Sequence, residues 1–494
     1  MYLLGYDIGS SSIKAALVRI ADHATVGRAQ HPNLEMEILA PQPDWAEQHP
    51  ETWWENLCKV TQQLLADTEV PPYDIQAIGI AYQMHGLVLV DKDQKVLRPS
   101  IIWCDSRAVK IGNQAFTSIG EEKCLSHLLN SPGNFTASKL KWVKDNEPKV
   151  YEQIDKIMLP GDYIAMKLTG EVVTTASGLS EGIFWDFQEN KVSDAVMNYF
   201  GFSDDLIPNI VQTFSVQGKV TDFAAEATGL RAGIPVTYRA GDQPNNALSL
   251  NVFNPGELAA TGGTSGVVYG IVDKPAYDPQ SRVNGFAHVN HSIEAPRIGI
   301  LLCINGTGIQ YSWIKQHVAQ DGLSYNDLEQ LASKIPVGSD GLQIIPFGNG
   351  AERMLNNRNL GASIHHLHFN RHTRAHLYRA ALEGIAFSFV YGIQILKEMG
   401  LEVKHLKVGN DNLFQSAIFS NTITTLTDSP IEVIETTGAI GAAKAAGVGI
   451  GEYNSPAEAI GQGNVVRTYK PLDAKEAYAK AYQSWESDLH QLIH

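Results

Sequence analysis

Two short turns of glycine and hydroxyl residues, each set between a pair of apolar runs, constrain this chain more than any other feature. "YLLGYDIGSSSIKAALVRI" reads as a strand ending near Asp7, a turn over Gly9–Ser12 and a returning strand. "GELAATGGTSGVVYGIV" repeats the pattern in the second half, around Gly262–Gly266. Without bulky side chains, the backbone N–H groups and hydroxyls of such turns can converge on anionic oxygens, so a matched pair suits phosphate. Their recurrence predicts an α/β protein of two related halves, 1–249 and 250–494, with the boundary where "NVFNPGE" supplies Asn, Pro and Gly.

The intervening patterns fit that plan. "HPETWWENLCKVTQQLLADT" places Trp53, Leu57, Val60 and Leu64 at spacings of three and four, which predicts a helix with its tryptophans packed inward. Two β-rich runs flank a Met84-His85-Gly86 corner, and "ASKLKWVKDNEPKVYEQI" and "PGDYIAMKLTGE" read as helices. The second half carries the long helical stretch "HTRAHLYRAALEGIAFSFVYGIQILKEMG", a short strand "HLKVG" and an Ala/Gly-rich helix "GAIGAAKAAGVG".

A formal charge of -15 opposes attachment to nucleic acid or anionic membrane. The longest clean apolar run, Ile298–Ile304, is too short for a spanning helix, and the N-terminus lacks the basic region of a secretory signal. Cys58, Cys104, Cys124 and Cys303 lack metal-ligand spacing and fit a reducing compartment, so the expected location is cytoplasmic. The histidines of "IHHLHFNRHTRAH" include no H-E-x-x-H pattern, and neither a P-loop nor a dinucleotide fingerprint occurs.

Two carboxylates remain for chemistry. Asp7, beside the first turn, is placed to hold the hydrated Mg²⁺ that accompanies a nucleotide. Asp242, in "RAGDQPNNALSL" between an apolar run and an expected Gln-Pro-Asn-Asn turn, can face a hydroxyl that must lose a proton. Each also has an ordinary reading as a cap or turn residue. A glycosidase reading would pair the two across a sugar ring at about 5 to 10 Å, but leaves the phosphate-type turns without a purpose.

These residues resemble the FGGY carbohydrate kinases, which share the duplicated ribonuclease-H-like fold of actin and hexokinase, and the resemblance runs through nearly the whole chain. "YDIGSSSIKAALV" is similar to the family's opening phosphate hairpin, "TGGTSG" to its second-domain turn, "AGDQPNNALSLNV" to the segment of its catalytic base, and "NFTASKLKWVKDN" to its signature. Within the family, "YQMHGLVLVD" resembles xylulose kinases.

The resemblance implies ATP-dependent phosphorylation of D-xylulose at its 5-hydroxyl in a cleft between two ribonuclease-H-like domains, with family members commonly homodimers. Asp242 would be the general base and Asp7 would act through Mg²⁺. Met84, His85 and Gly86 would contact the sugar, with Trp103 and Asp105 near it. Gly9, Ser10, Ser11, Lys14, Gly263, Thr264, Ser265, Gly409 and Asn410 would hold ATP. "VGNDNLFQSAIFSN" departs from the family's glycine-rich adenosine loop, with Asn410 and Asp411 where glycines are usual. Other readings are a kinase for ribulose, fuculose or gluconate, and an actin-like ATPase without a sugar.

Overall fold

Each of the two hydroxyl-rich turns closes an antiparallel hairpin at the heart of its own sheet. The computed structural model describes residues 1–461 and 463–493. The first sheet contains β1 (Tyr2–Ile8), β2 (Ile13–Arg19), β3 (Thr25–His31), β4 (Ile75–Tyr82), β5 (Phe214–Lys219) and β6 (Pro235–Gly241), ordered β5-β6-β4-β1-β2-β3. The second contains β7 (Glu257–Gly262), β8 (Gly266–Val272), β9 (Asn284–Ala287), β10 (Ile298–Ile304), β11 (His405–Gly409), β12 (Ile431–Ile434) and β13 (Val465–Tyr469), ordered β9-β10-β8-β7-β11-β12-β13.

The duplication is visible in the pairing. A three-stranded antiparallel meander, β1-β2-β3 or β7-β8-β10, continues into two parallel strands, β4-β6 or β11-β12. An antiparallel edge strand, β5 or β13, completes each set. Apolar alternation drives both; Leu4, Tyr6 and Ile8 of β1 join Trp53, Leu57, Val60 and Leu64 of the Pro50–Thr68 helix in one core.

Five helices position the cleft: α1 (Ala176–Glu181), α2 (Asp242–Ser249), α3 (Gly308–His317), α4 (Arg374–Glu398) and α5 (Gly438–Gly449). Asp242 opens α2, so the Gln-Pro-Asn-Asn turn expected from sequence is instead a first helical turn. Pro244 is tolerated there because an N–H in the first turn has no intrahelical acceptor. α4 is long and apolar enough to cross a membrane, yet 83% of its most apolar window is buried in the second lobe.

The halves exchange helices. α5, from the second half, lies on β1 and β4 of the first sheet, while α2, from the first half, touches α5 and reaches β7 and β8 of the second sheet. Close approach depends on glycines paired in register: a Cβ on Gly5 would come 1.9 Å from the Ala439 carbonyl oxygen, and one on Gly79 would come 2.0 Å from that of Ala442. The Ala/Gly-rich composition of α5 thus has a packing cause.

Candidate active site

The carboxylates emerge at the ends of parallel strands. Asp7 on β1 is level with Ala81 of β4, Ala81 is level with Ala240 of β6, and Asp242 follows two residues later. Two strand spacings therefore separate the β1 and β6 backbones, about 10 Å. α5 closes the gap from the second half: the Asn245 side-chain amide donates to the Gly438 carbonyl at 2.9 Å, and a Cβ on Gly438 would come 2.8 Å from an Asp7 carboxylate oxygen.

Burial, with the Asp7 charge adding to it, raises the Asp242 carboxyl to about 7. Burial also raises Asp7, while Lys14, its partner across the hairpin, opposes the shift. A carboxylate titrating near neutrality suits proton transfer at physiological pH. The proton-acceptor role expected of Asp242 requires it unprotonated, so kcat/KM is expected to fall about tenfold per pH unit below its value near 7. A pH–rate profile with saturating ATP checks this.

The Met84-His85-Gly86 corner abuts the same floor. His85 adopts φ +62, a left-handed conformation available to few side chains. Gly86 admits Pro160, whose Cγ would lie 2.5 Å from an added Cβ. Burial pulls the His85 imidazole down to about 3, so it is neutral at physiological pH. Its Nδ1 faces the Glu181 carbonyl at 2.9 Å, an acceptor only; Nδ1 therefore carries the hydrogen, and Nε2 is left to accept one from a hydroxyl.

Glu181, at the end of α1, is 2% exposed, and one of its carboxyl oxygens would lie 2.5 Å from a Cβ on Gly241. Burial, and then the Asp242 charge, push its carboxyl well above the usual carboxylate range. Lys139 donates to the His85 carbonyl at 2.8 Å and the Ile102 carbonyl at 2.9 Å, tying the corner to the Trp103 loop. Its burial pulls the ammonium down to about 7.

Trp103 is 53% exposed, and its indole N–H donates to the Ser10 hydroxyl at 3.4 Å, linking the first phosphate-type turn to the corner. Asp105 behaves differently from expectation. It is fully buried, and its oxygens accept from Arg107 and the Ala46 N–H, both at 2.7 Å. Arg107 lies 3.8 Å over the Trp45 ring. Asp105 braces the loop and offers no free oxygen to a sugar.

The first turn is closed by Gly9 N–H to the Ser12 carbonyl at 3.1 Å, with Ser11 and Lys14 exposed. The second turn exposes Thr264 and Ser265 and is clamped from behind by α3: the Gly308 N–H donates to the Gly263 carbonyl and the Ile309 N–H to the Thr264 carbonyl, each at 3.1 Å. Gly308 has no alternative, because a Cβ there would come 2.2 Å from the Gly263 oxygen.

Beyond the second turn opens a cavity of about 720 Å³, lined by Gly263, Thr264, Tyr311, Tyr325, Glu329 and Asn410 among others. Tyr311 and Tyr325 stack at 5.5 Å, and Glu329 accepts from the Ser416 hydroxyl at 2.7 Å. Gly409 ends β11, and the Asn410 N–H donates to the Ile434 carbonyl at 3.1 Å. The left-handed residue of this glycine-poor loop is Asn412, with φ +50, and not Asn410. Tyr311, Tyr325, Glu329, Glu181 and Lys139 carried no motif that assigned them a site role.

A sheet duplicated about a cleft, with a near-neutral carboxylate facing a polar corner on one side and a clamped hydroxyl turn on the other, is the setting for phosphoryl transfer to an alcohol. Residues 2–249 match the N-terminal domain model, and residues 258–450 the C-terminal domain model, of the FGGY family of carbohydrate kinases. The chain belongs to the FGGY family.

It is therefore a carbohydrate kinase, and ATP is the phosphoryl donor of the family. Its relatives include the xylulose kinase of Bacillus subtilis, 28% identical over 81% of this chain and 79% of that one. The L-xylulose/3-keto-L-gulonate kinase of Escherichia coli is 30% identical over 98% of this chain and 96% of its own length. The crystal structure of xylulose kinase from Rhodospirillum rubrum superposes with a TM-score of 0.89 at 27% identity, covering 100% of both chains. FGGY membership removes the glycosidase reading of Asp7 and Asp242.

Proposed function

We propose that this FGGY kinase transfers the γ-phosphoryl group of ATP to the 5-hydroxyl of D-xylulose, with Asp242 as the general base. The observation that carries the reading is the Asp242 carboxyl, raised to about 7 where the first-lobe sugar corner meets the interlobe floor. The xylulose kinases among its relatives supply the sugar. Met84 and the Nε2 of neutral His85 orient the open-chain sugar, Trp103 covers it, and Asp242 takes the hydroxyl proton as the hydroxyl oxygen attacks phosphorus. Gly263, Thr264 and Ser265 hold the phosphate end of ATP, with Gly9, Ser10, Ser11 and Lys14 opposite, and the 720 Å³ cavity takes the adenosine. Positioning and charge neutralisation are the main needs of phosphoryl transfer, and lobe closure over the substrates excludes water as a competing acceptor.

The residues fit a Mg²⁺ ion delivered with the nucleotide. Asp7 and Asp242 repel each other in a buried site, and the charge that relieves Asp7 is Lys14. A Mg²⁺ ion that arrives with ATP is carried mainly by phosphate and water and needs few protein ligands. Asp7 would hold it, and it would neutralise charge developing on the phosphoryl oxygens.

The L-xylulose/3-keto-L-gulonate kinase relative, matched over nearly the whole chain, favours a second reading in which the accepted sugar is L-xylulose or a keto sugar acid. ADP release measured over D-xylulose, L-xylulose, D-ribulose, L-fuculose, gluconate, 3-keto-L-gulonate and glycerol tests both. D-xylulose is expected to show the highest kcat/KM. A higher value for any other sugar overturns the assignment.

A further inference from the structure

Arg353 is a cation on the second-lobe wall of the cleft that the proposed reaction leaves unused. Its Nε donates to the Ser281 carbonyl at 2.8 Å, and one terminal amino group donates to the Ser281 hydroxyl at 3.1 Å. Ser281 leads into β9, whose Phe286 ring lies 5.4 Å from the ring of His85. The guanidinium is therefore anchored beside the wall that packs against the sugar corner. Its charge acts on His85 and on Cys303, which pairs with Val267 just past the phosphate turn.

Among the described residues no carboxylate lies within ion-pair distance of this cation. Asp278, the carboxylate that acts on it, is held by Arg282 at 2.9 Å. Glu352, its neighbour in sequence, turns away to accept from the Asn305 N–H at 3.0 Å and the Gly306 N–H at 2.9 Å. Burial pulls the Arg353 guanidinium down to about 10, which leaves it charged at neutral pH but poorly compensated. A guanidinium has five N–H donors in a planar fork, and Ser281 takes two of them. A half-buried cation with spare donors gains when a ligand supplies further acceptors.

We propose that Arg353 is a specificity-determining residue of the sugar site, donating from the second lobe to acceptor oxygens at the end of an open-chain sugar remote from the reacting hydroxyl. In this proposal Asp242 marks the reacting end, and the His85 side, on which the Arg353 charge acts, marks the other. The ligand class that follows is an acyclic keto sugar with a carbonyl or carboxylate oxygen at that end, a carboxylate gaining most because the cation is unpaired. The inference rests on the reading that this cleft binds a sugar.

Steady-state kinetics of Arg353→Met and Arg353→Lys test it, using whichever ketose the unaltered enzyme turns over best together with 3-keto-L-gulonate. With Arg353→Met, KM for the ketose is expected to rise about 10- to 100-fold while kcat and the KM for ATP change little. The loss in kcat/KM for 3-keto-L-gulonate is expected to be larger, and Arg353→Lys, which keeps the charge but loses the fork, is expected to fall between. Should Arg353→Met fail to fold, Arg353→Lys alone carries the test through the same KM measurement. An unchanged sugar KM, a loss that falls on ATP, or equal losses for the neutral and acidic sugars overturns the proposal and leaves Arg353 as a brace for Ser281. Failure of the sugar-kinase reading looks different: the unaltered enzyme would then release no ADP with any sugar.

Discussion

Asp242→Asn is expected to lower kcat by about 10²- to 10⁴-fold, the range for loss of a positioned general base, while ATP and sugar still bind. The amide fills the same volume at the start of α2, so the geometry is kept and proton acceptance alone is lost. Equilibrium binding by calorimetry and single-turnover ADP formation separate the two effects; a variant retaining more than a tenth of kcat would move the base elsewhere. Stability changes in the opposite direction. The Asp242 carboxyl is raised to about 7 in the folded chain, against about 3.9 in an unfolded one, so folding binds a proton between these values and stability from this group declines as pH rises through that window. At pH 8 the folded enzyme holds a charge that its surroundings disfavour, and the asparagine variant, which has no such charge, is expected to melt at the same or a higher temperature. Scanning calorimetry at pH 4 and pH 8 checks the sign: the gain grows as pH rises through the window and is larger at pH 8.

What sequence reveals here is what is local. The β1-β2 and β7-β8 hairpins were legible because apolar runs, small turn residues and their repetition all lie within about twenty residues, where pattern reports structure directly. The Pro50–Thr68 helix was legible for the same reason, its buried stripe of Trp53, Leu57, Val60 and Leu64 following the helical period. Asp242 could be found through its likeness to a family segment, but its shifted titration could not, since that arises from burial and from Asp7, far away in the chain. Glu181, Lys139 and Arg353 illustrate the rest. Glu181 and Arg353 are single charged residues in stretches without a motif, Lys139 lies in the signature-like segment without an assigned role, and each depends on carbonyls or rings supplied by other segments: His85 for Glu181 and Lys139, Ser281 for Arg353. Asp105 errs the other way, expected near the sugar beside Trp103 while its oxygens are consumed by Arg107 and Ala46. The helix exchange was equally hidden, for "GAIGAAKAAGVG" specifies a helix with small faces without specifying which sheet receives it.

That exchange makes Gly79 a position where one side chain should do severe structural damage. Gly79→Val is expected to destabilise the chain by about 3 kcal/mol or more, at or above the upper end of ordinary overpacking. The reason lies in what the new Cβ meets: the Ala442 carbonyl oxygen at 2.0 Å, part of the α5 backbone, which cannot rotate away as a side-chain end can. Relief requires lifting α5 off β4, and α5 begins at Gly438, whose carbonyl anchors Asn245 and which packs against Asp7. Loss of stability and loss of activity are therefore expected together, read as a lowered Tm and faster proteolysis in parallel with reduced ADP release. Gly27 provides the contrast, because its Cβ would meet the Thr68 methyl at 2.2 Å, a side-chain atom. Thr68→Ser removes that methyl while keeping the hydroxyl that donates to the Leu64 carbonyl, so it should rescue most of the loss in Gly27→Ala. No trimming of Ala442 should rescue Gly79→Val, since the clash is with backbone; recovery in Gly79→Val/Ala442→Gly would show that α5 does not seat against β4 as closely as its composition permits.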